Sequence, residues 1–128
     1  MLFRSHGGIA LGPKPRTYRT ELNKKAKRVA LYSALSAKVA NGDMIVLDEI
    51  KTEAYSTKTM KTMLDAIGAD KKALVVLPAA DQMIIKSFAN IEGVKTTQYN
   101  TLNVYDILNA DKFVATKAAV KMLEEVYA

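Results

Sequence analysis

The sequence contains no cysteine. That absence excludes disulfides, thiolate nucleophiles and cysteine-based metal sites, and it fits a reducing compartment. Histidine occurs once, as His6, far in sequence from any carboxylate cluster, which leaves a Ser-His-Asp arrangement without support. Of the six glycines, those after residue 40 stand alone as turn or helix stops. No glycine-rich phosphate loop and no dinucleotide fingerprint is present. No apolar run approaches the length of a membrane span, and the N-terminus has no apolar signal core. There is no internal repeat and no low-complexity segment.

Acidic residues are scarce at one end. The first 28 residues hold Arg4, Lys14, Arg16, Arg19, Lys24, Lys25, Lys27 and Arg28 against the single acid Glu21, a net +7, while the whole chain of 128 residues carries +6. From Val29 onward, 11 basic residues face 12 acidic ones, so the rest is nearly neutral. A basic arm on an ordinary globular body points to a polyanionic partner, nucleic acid first and an anionic membrane second. The length suits one domain with an adequate core, and an apolar share of 49% is normal for a globular protein.

Residues 1–20 are predicted to form an extended arm and residues 21–128 a single α/β domain. The run Gly12-Pro13-Lys14-Pro15-Arg16 is incompatible with a helix interior or a central strand, because proline fixes φ and lacks a donor. It should lie extended on the surface with its cations outward. A helix follows over about 23–40, with Asn23 as cap and Asn41-Gly42 as stop. Leu31, Tyr32, Leu35 and Val39 should form its buried side. Lys24 and Arg28 share the azimuth of Leu31 and Leu35, so the helix start must project beyond the core. Four cations there crowd the positive end of the helix dipole, at a cost of about a few tenths of a kcal/mol each. A bound phosphate would reverse that penalty.

The body then alternates. Strands are predicted at Met44–Leu47, Ala73–Leu77, Val94–Tyr99 and Phe113–Ala115. Helices are predicted at 57–67 on Met60, Met63, Leu64 and Ile67, at about 82–90 on Ile84, Ile85 and Phe88 with Asp81 as cap, at Val104–Leu108, and after Thr116 on Val120, Leu123 and Tyr127. This pattern predicts a three-layer α/β/α fold around a mainly parallel four-stranded sheet.

Ligands of open parallel sheets bind beyond the carboxyl ends of the strands. Asp48 and Glu49 end the first strand and Asp81 follows the second, so a magnesium-binding cluster, and a small metal-dependent enzyme using Asp48 and Asp81, is one reading. The favoured reading is that Asp81 caps a helix and the other two are solvated loop acids. Met60 and Met63 are read as core. No catalytic residue, metal site or cofactor is assigned.

The segments that remain are more specific. Residues Gly7-Gly8-Ile9-Ala10-Leu11-Gly12-Pro13-Lys14-Pro15-Arg16-Thr17-Tyr18, then Asn23-Lys24-Lys25, Ala30 to Ser36, Ile45-Val46-Leu47-Asp48, Thr57-Lys58, Ala89-Asn90-Ile91 and Gly93-Val94 resemble the bacterial large-subunit ribosomal protein L four family. So do Leu102-Asn103-Val104-Tyr105-Asp106-Ile107-Leu108 and Asp111-Lys112-Phe113-Val114. The resemblance is collinear over residues 7–128. It implies an α/β structural protein of the large ribosomal subunit, not an enzyme, cytoplasmic within the ribosome, that binds ribosomal RNA and supports early subunit assembly. It further implies neighbouring ribosomal proteins as partners, no membrane, and, as in some members, repression through the protein's own messenger RNA leader. The RNA contacts implied are Lys14, Arg16, Arg19, Lys24, Lys25, Lys27 and Arg28, with Tyr18 either packing on RNA or anchoring the arm. The arm should order on RNA. Family members carry a long N-terminal part, including most of an inward loop, that has no counterpart here. Met1 to Ser5 do not continue the family pattern, which suggests a truncated reading of a longer gene.

Overall fold

A computed structural model describes residues 11–127 of the chain. Arg4, His6, Gly7, Gly8 and the Met1 to Ser5 stretch lie outside the described residues. Residues 11–23 contain no helix or strand. Then come α1 (Lys24–Ala40), β1 (Met44–Leu47), α2 (Thr57–Ala66), β2 (Ala73–Leu77), α3 (Gln82–Ala89), β3 (Val94–Gln98), α4 (Val104–Asn109), β4 (Lys112–Thr116) and α5 (Lys117–Tyr127). Strand β3 stops one residue short of the expected Tyr99, because Tyr99–Thr101 turns into a single 3-10 helix.

The four strands form one all-parallel sheet in the order β1-β4-β2-β3. Side-chain alternation splits the two central strands between two cores. Leu74, Val76, Phe113 and Ala115 face α1, α4 and α5, where Leu31, Ala34, Ile107, Ala119 and Leu123 cover them. Ala73, Val75, Leu77 and Val114 face α2 and α3, where Met60, Leu64, Ile84 and Phe88 cover them. All five residues of β2 are buried, as an apolar strand covered on both faces must be. The fold is therefore three-layered α/β/α. The chain moves one way along the sheet through α2 and α3 and returns through α4 on the other face, which is how same-handed crossovers distribute helices.

Local chemistry sets the boundaries. Asp81 accepts from Met83 N–H at 2.9 Å, Ser56 from Thr59 N–H at 3.3 Å, Asn103 from Asp106 N–H at 2.8 Å, and Thr116 from Ala119 N–H at 3.3 Å. Each satisfies an orphan donor at a helix start. Helix α1 departs from expectation on one side. Leu31 and Ala34 are buried and Leu35 half-buried, but Val39 is 60% exposed and Tyr32 38% exposed. The buried stripe instead runs through Leu31, Ala34 and Lys38, whose Nζ donates to the Ala110 carbonyl at 2.5 Å. Tyr32 and Val39 lie a quarter-turn away, beyond the reach of the sheet.

Candidate nucleic-acid interface

The basic residues occupy a continuous stretch that the core does not touch. Lys14, Arg16, Tyr18 and Arg19 sit on the extended segment, and Lys24, Lys25, Lys27 and Arg28 on the first turns of α1; all eight are exposed. The buried face of α1 begins only at Leu31. The two turns before it therefore project from the body, as the shared azimuth of Lys24, Arg28, Leu31 and Leu35 requires.

Four cations fall within about 6 Å of helix axis. The first intrahelical bond is Lys27 N–H to the Asn23 carbonyl, at 3.1 Å. The N–H groups of Lys24, Lys25 and Ala26 thus have no acceptor within the helix. The Asn23 side chain makes no capping hydrogen bond, and the first turn holds no acid. Backbone donors, helix dipole and side chains all point the same way, toward an anion.

Pairing separates these residues further. Arg19 Nε lies 3.2 Å from Glu21 Oε1, an exposed pair that screening makes weak. Among the described residues none of Lys14, Arg16, Lys24, Lys25, Lys27 and Arg28 takes part in an ion pair. Arg16 instead places its guanidinium carbon 4.3 Å from the centroid of the Tyr18 ring. A guanidinium held over a ring by cation–π attraction still has N–H donors to offer a planar anion. Tyr18 remains 74% exposed, so the ring carries Arg16 rather than tying the segment to the body.

The charge reading overlooked the apolar residues among the cations. Leu11, Leu22 and Val29 are all exposed here. Val29 was legible in principle, since it follows Lys25 by four residues on one helix face. These side chains give the surface an apolar component that a purely electrostatic patch lacks.

The carboxylates form a different kind of place. Asp48, Glu49 and Asp81 line one cavity of about 320 Å³ beyond the carboxyl ends of β1, β2 and β4. The topology does bring them together, but Asp81 and Glu49 have partners within the fold and Asp48 is an exposed loop acid. Asp81 caps α3, and Glu49 Oε2 lies 2.7 Å from Lys51 Nζ. Among the described residues no group of three Asp, Glu or His side chains converges on a point where a metal could sit. No described helix is long and apolar enough to cross a membrane.

The sequence matches known proteins over nearly its whole length. Residues 2–126 match the family described as Ribosomal protein L4/L1 family. The chain is 51% identical over 122 residues to the large ribosomal subunit protein uL4 of Ruminiclostridium cellulolyticum and to that of Alkaliphilus oremlandii. It is 51% identical over 123 residues to that of Clostridium acetobutylicum. These matches cover 95 to 96% of this chain and 59% of each relative, so the chain spans about three-fifths of the length of the curated relatives it matches.

Proposed function

The chain belongs to the ribosomal protein L4/L1 family, and from that premise we propose that it is a structural, non-enzymatic component of the large ribosomal subunit that binds ribosomal RNA through Lys14, Arg16, Tyr18, Arg19, Lys24, Lys25, Lys27 and Arg28. The observation that carries this reading is the projecting start of α1, where four unpaired cations and three free backbone donors share one end of a helix. Phosphate neutralisation supplies affinity, and Arg16 adds planar bidentate geometry. Folded RNA is recognised largely through shape, 2′-hydroxyls and phosphates, so a rigid helix end suits it without any base-specific motif.

On this reading the arm (residues 1–20) and the α/β domain (residues 21–128) divide the work. The domain fixes the direction of α1, and the arm follows the RNA. The place of action is the ribosome in the cytoplasm, among neighbouring ribosomal proteins, with a part in early subunit assembly. The same basic surface would serve for binding the protein's own messenger RNA leader, since both ligands offer folded phosphate backbone.

Amide exchange on the complex with a large-subunit ribosomal RNA fragment tests the assignment. Protection is expected at Lys24, Lys25 and Ala26 and along residues 14–20. Protection centred on α2 and α3, with the start of α1 unchanged, would overturn it.

A further inference from the structure

Asn41 is the only one of the six asparagines that precedes a glycine. The pair carries a definite chemistry. The Gly42 amide nitrogen can attack the side-chain carbonyl carbon of Asn41, because glycine puts no side chain in the way. A bond forms between Gly42 N and Asn41 Cγ, the Cγ–Nδ2 bond breaks, and ammonia leaves with the proton of the Gly42 nitrogen. Water then opens the five-membered imide at either carbonyl, which gives aspartate or isoaspartate. One water enters and one ammonia departs, with no oxidant or cofactor. Both residues are exposed, so water has access. No heavy atom lies within 4 Å of the place where a Gly42 Cβ would stand.

The fold holds this reaction back in three ways. Gly42 N–H donates to the Val39 carbonyl at 3.1 Å and Asp43 N–H to the Lys38 carbonyl at 3.0 Å. With Gly42 at φ +70°, these are the paired bonds of a Schellman cap, and the attacking nitrogen is engaged in one of them. Asn41 itself stands at φ −78° and ψ −9°. At that ψ the Gly42 nitrogen eclipses the Asn41 backbone nitrogen, whereas ring closure needs it to eclipse Cβ, about a third of a turn away. Asp43, on the far side, is fixed twice to β4. Its carbonyl accepts from Phe113 N–H at 2.9 Å, and its Oδ1 lies 2.8 Å from Lys112 Nζ. The Asn41-Gly42 peptide therefore rotates only when the cap releases.

We propose that Asn41-Gly42 is a self-modification site of this protein, a deamidation site that reacts only when the end of α1 opens. The product acts on α1. A carboxylate at position 41 sits at the negative end of the helix dipole, two residues from Asp43. Isoaspartate adds a methylene to the main chain inside the cap, so the bonds to Val39 and Lys38 no longer close together. α1 carries Lys24, Lys25, Lys27 and Arg28 on turns that the core does not support. Loosening its other end loosens the mount of that basic surface. The inference does not depend on what those cations bind.

The test is the rate of ammonia loss at mildly alkaline pH, well below the Tm, followed by mass spectrometry with the modified residue mapped in digests. A synthetic peptide of residues 37–46 sets the rate without the cap. The folded chain is expected to react at Asn41 before any other asparagine, and slower than the peptide by about tenfold or more, since only the opened fraction reacts. Unfolding in urea should bring it to the rate of the peptide. Lys112→Ala, which frees Asp43 on one side, should raise the folded rate roughly threefold. Lys112→Arg should restore it, and Lys95→Ala, which breaks an ion pair elsewhere, should leave it unchanged. A folded chain that reacts as fast as the peptide, or first at another asparagine, would overturn the proposal. So would a Lys112→Ala chain whose Asn41 reacts no faster than that of the parent.

Discussion

Lys95 on β3 places its Nζ 2.7 Å from both carboxylate oxygens of Asp106 on α4. The two partners differ in environment: the Asp106 side chain is 6% exposed and the Lys95 side chain 61%. Asp106 also accepts from Asn103 Nδ2 at 2.8 Å, while its own backbone N–H donates to Asn103 Oδ1. The cluster ties the edge strand of the sheet to the helix that carries the chain back across it.

Truncating the two partners should therefore cost different amounts. Asp106→Ala removes the nearly buried acceptor of two side-chain donors, Lys95 Nζ and Asn103 Nδ2, for a loss of about 2–3 kcal/mol, while the backbone cap to Asn103 Oδ1 survives. Lys95→Ala leaves Asp106 with Asn103 and should cost about 1 kcal/mol. Urea denaturation of both variants measures the order. Equal losses would mean that the ion pair, and not the buried carboxylate, holds α4.

Glycine substitutions give a second ordering. Gly93 has φ +78°, and a Cβ there would stand 2.3 Å from the Lys71 carbonyl oxygen, against backbone that cannot yield cheaply. Gly42 has φ +70° but open space around it. Gly42→Ala should cost about 1 kcal/mol, from the left-handed conformation alone. Gly93→Ala should cost at least about twice that, because strand β2 pairs with β3 next to the clash. Thermal unfolding of the two variants separates these outcomes.

Acid should weaken the sheet's amino end. Lys112 Nζ lies 2.8 Å from Asp43 Oδ1, and the hydrogen bond it donates, aided by the charges of Lys112 and Lys38, holds the Asp43 carboxyl below its ordinary value. A depressed pKa in the folded state means stability that is present above the unfolded pKa and lost as pH falls through the folded one. Asp43→Asn should therefore lower the urea midpoint at neutral pH, and the difference from the parent should shrink below about pH 4. A difference that stays constant down to pH 2 would contradict the assignment.

Magnesium discriminates the acidic cavity from a true metal site. Because Asp81 serves α3 as a cap, Asp81→Ala should cost about 1 kcal/mol and Asp81→Asn, which still accepts from Met83 N–H, much less. Magnesium should leave the Tm of the parent unchanged at millimolar concentration. A saturable rise that disappears with Asp48→Asn would restore the enzymatic reading.

The parts of this fold that were legible in the sequence are those fixed by neighbours along the chain. Ala73–Leu77 could only be a strand covered on both faces, and Asp81, Thr116 and Asn41-Gly42 marked helix ends by local chemistry. The basic surface was legible for the same reason, since its charges are contiguous. What depends on distant contacts was not. Asp106 resembles any solvated acid until Lys95 and Asn103 are placed around it. The strand order β1-β4-β2-β3 follows from which helix covers which face, and no single segment encodes it. Tyr32 and Val39 were expected in the core because their spacing is that of a buried face; the structure leaves both exposed, a quarter-turn from Leu31 and Ala34, because only contact with the rest of the fold decides which side of an apolar helix is covered. Stacking of Arg16 on Tyr18 was likewise invisible, since both residues sit in a segment without regular periodicity.

The central claim is that the start of α1 and the preceding segment recognise ribosomal RNA. The most direct measurement is binding of the chain to a large-subunit ribosomal RNA fragment across a salt series, beside an unrelated structured RNA of equal length. The account predicts a preference for the ribosomal fragment that persists as salt rises, and that disappears when Lys24, Lys25, Lys27 and Arg28 are all changed to Ala. Equal affinity for both RNAs, falling together with salt and insensitive to those four changes, would contradict it.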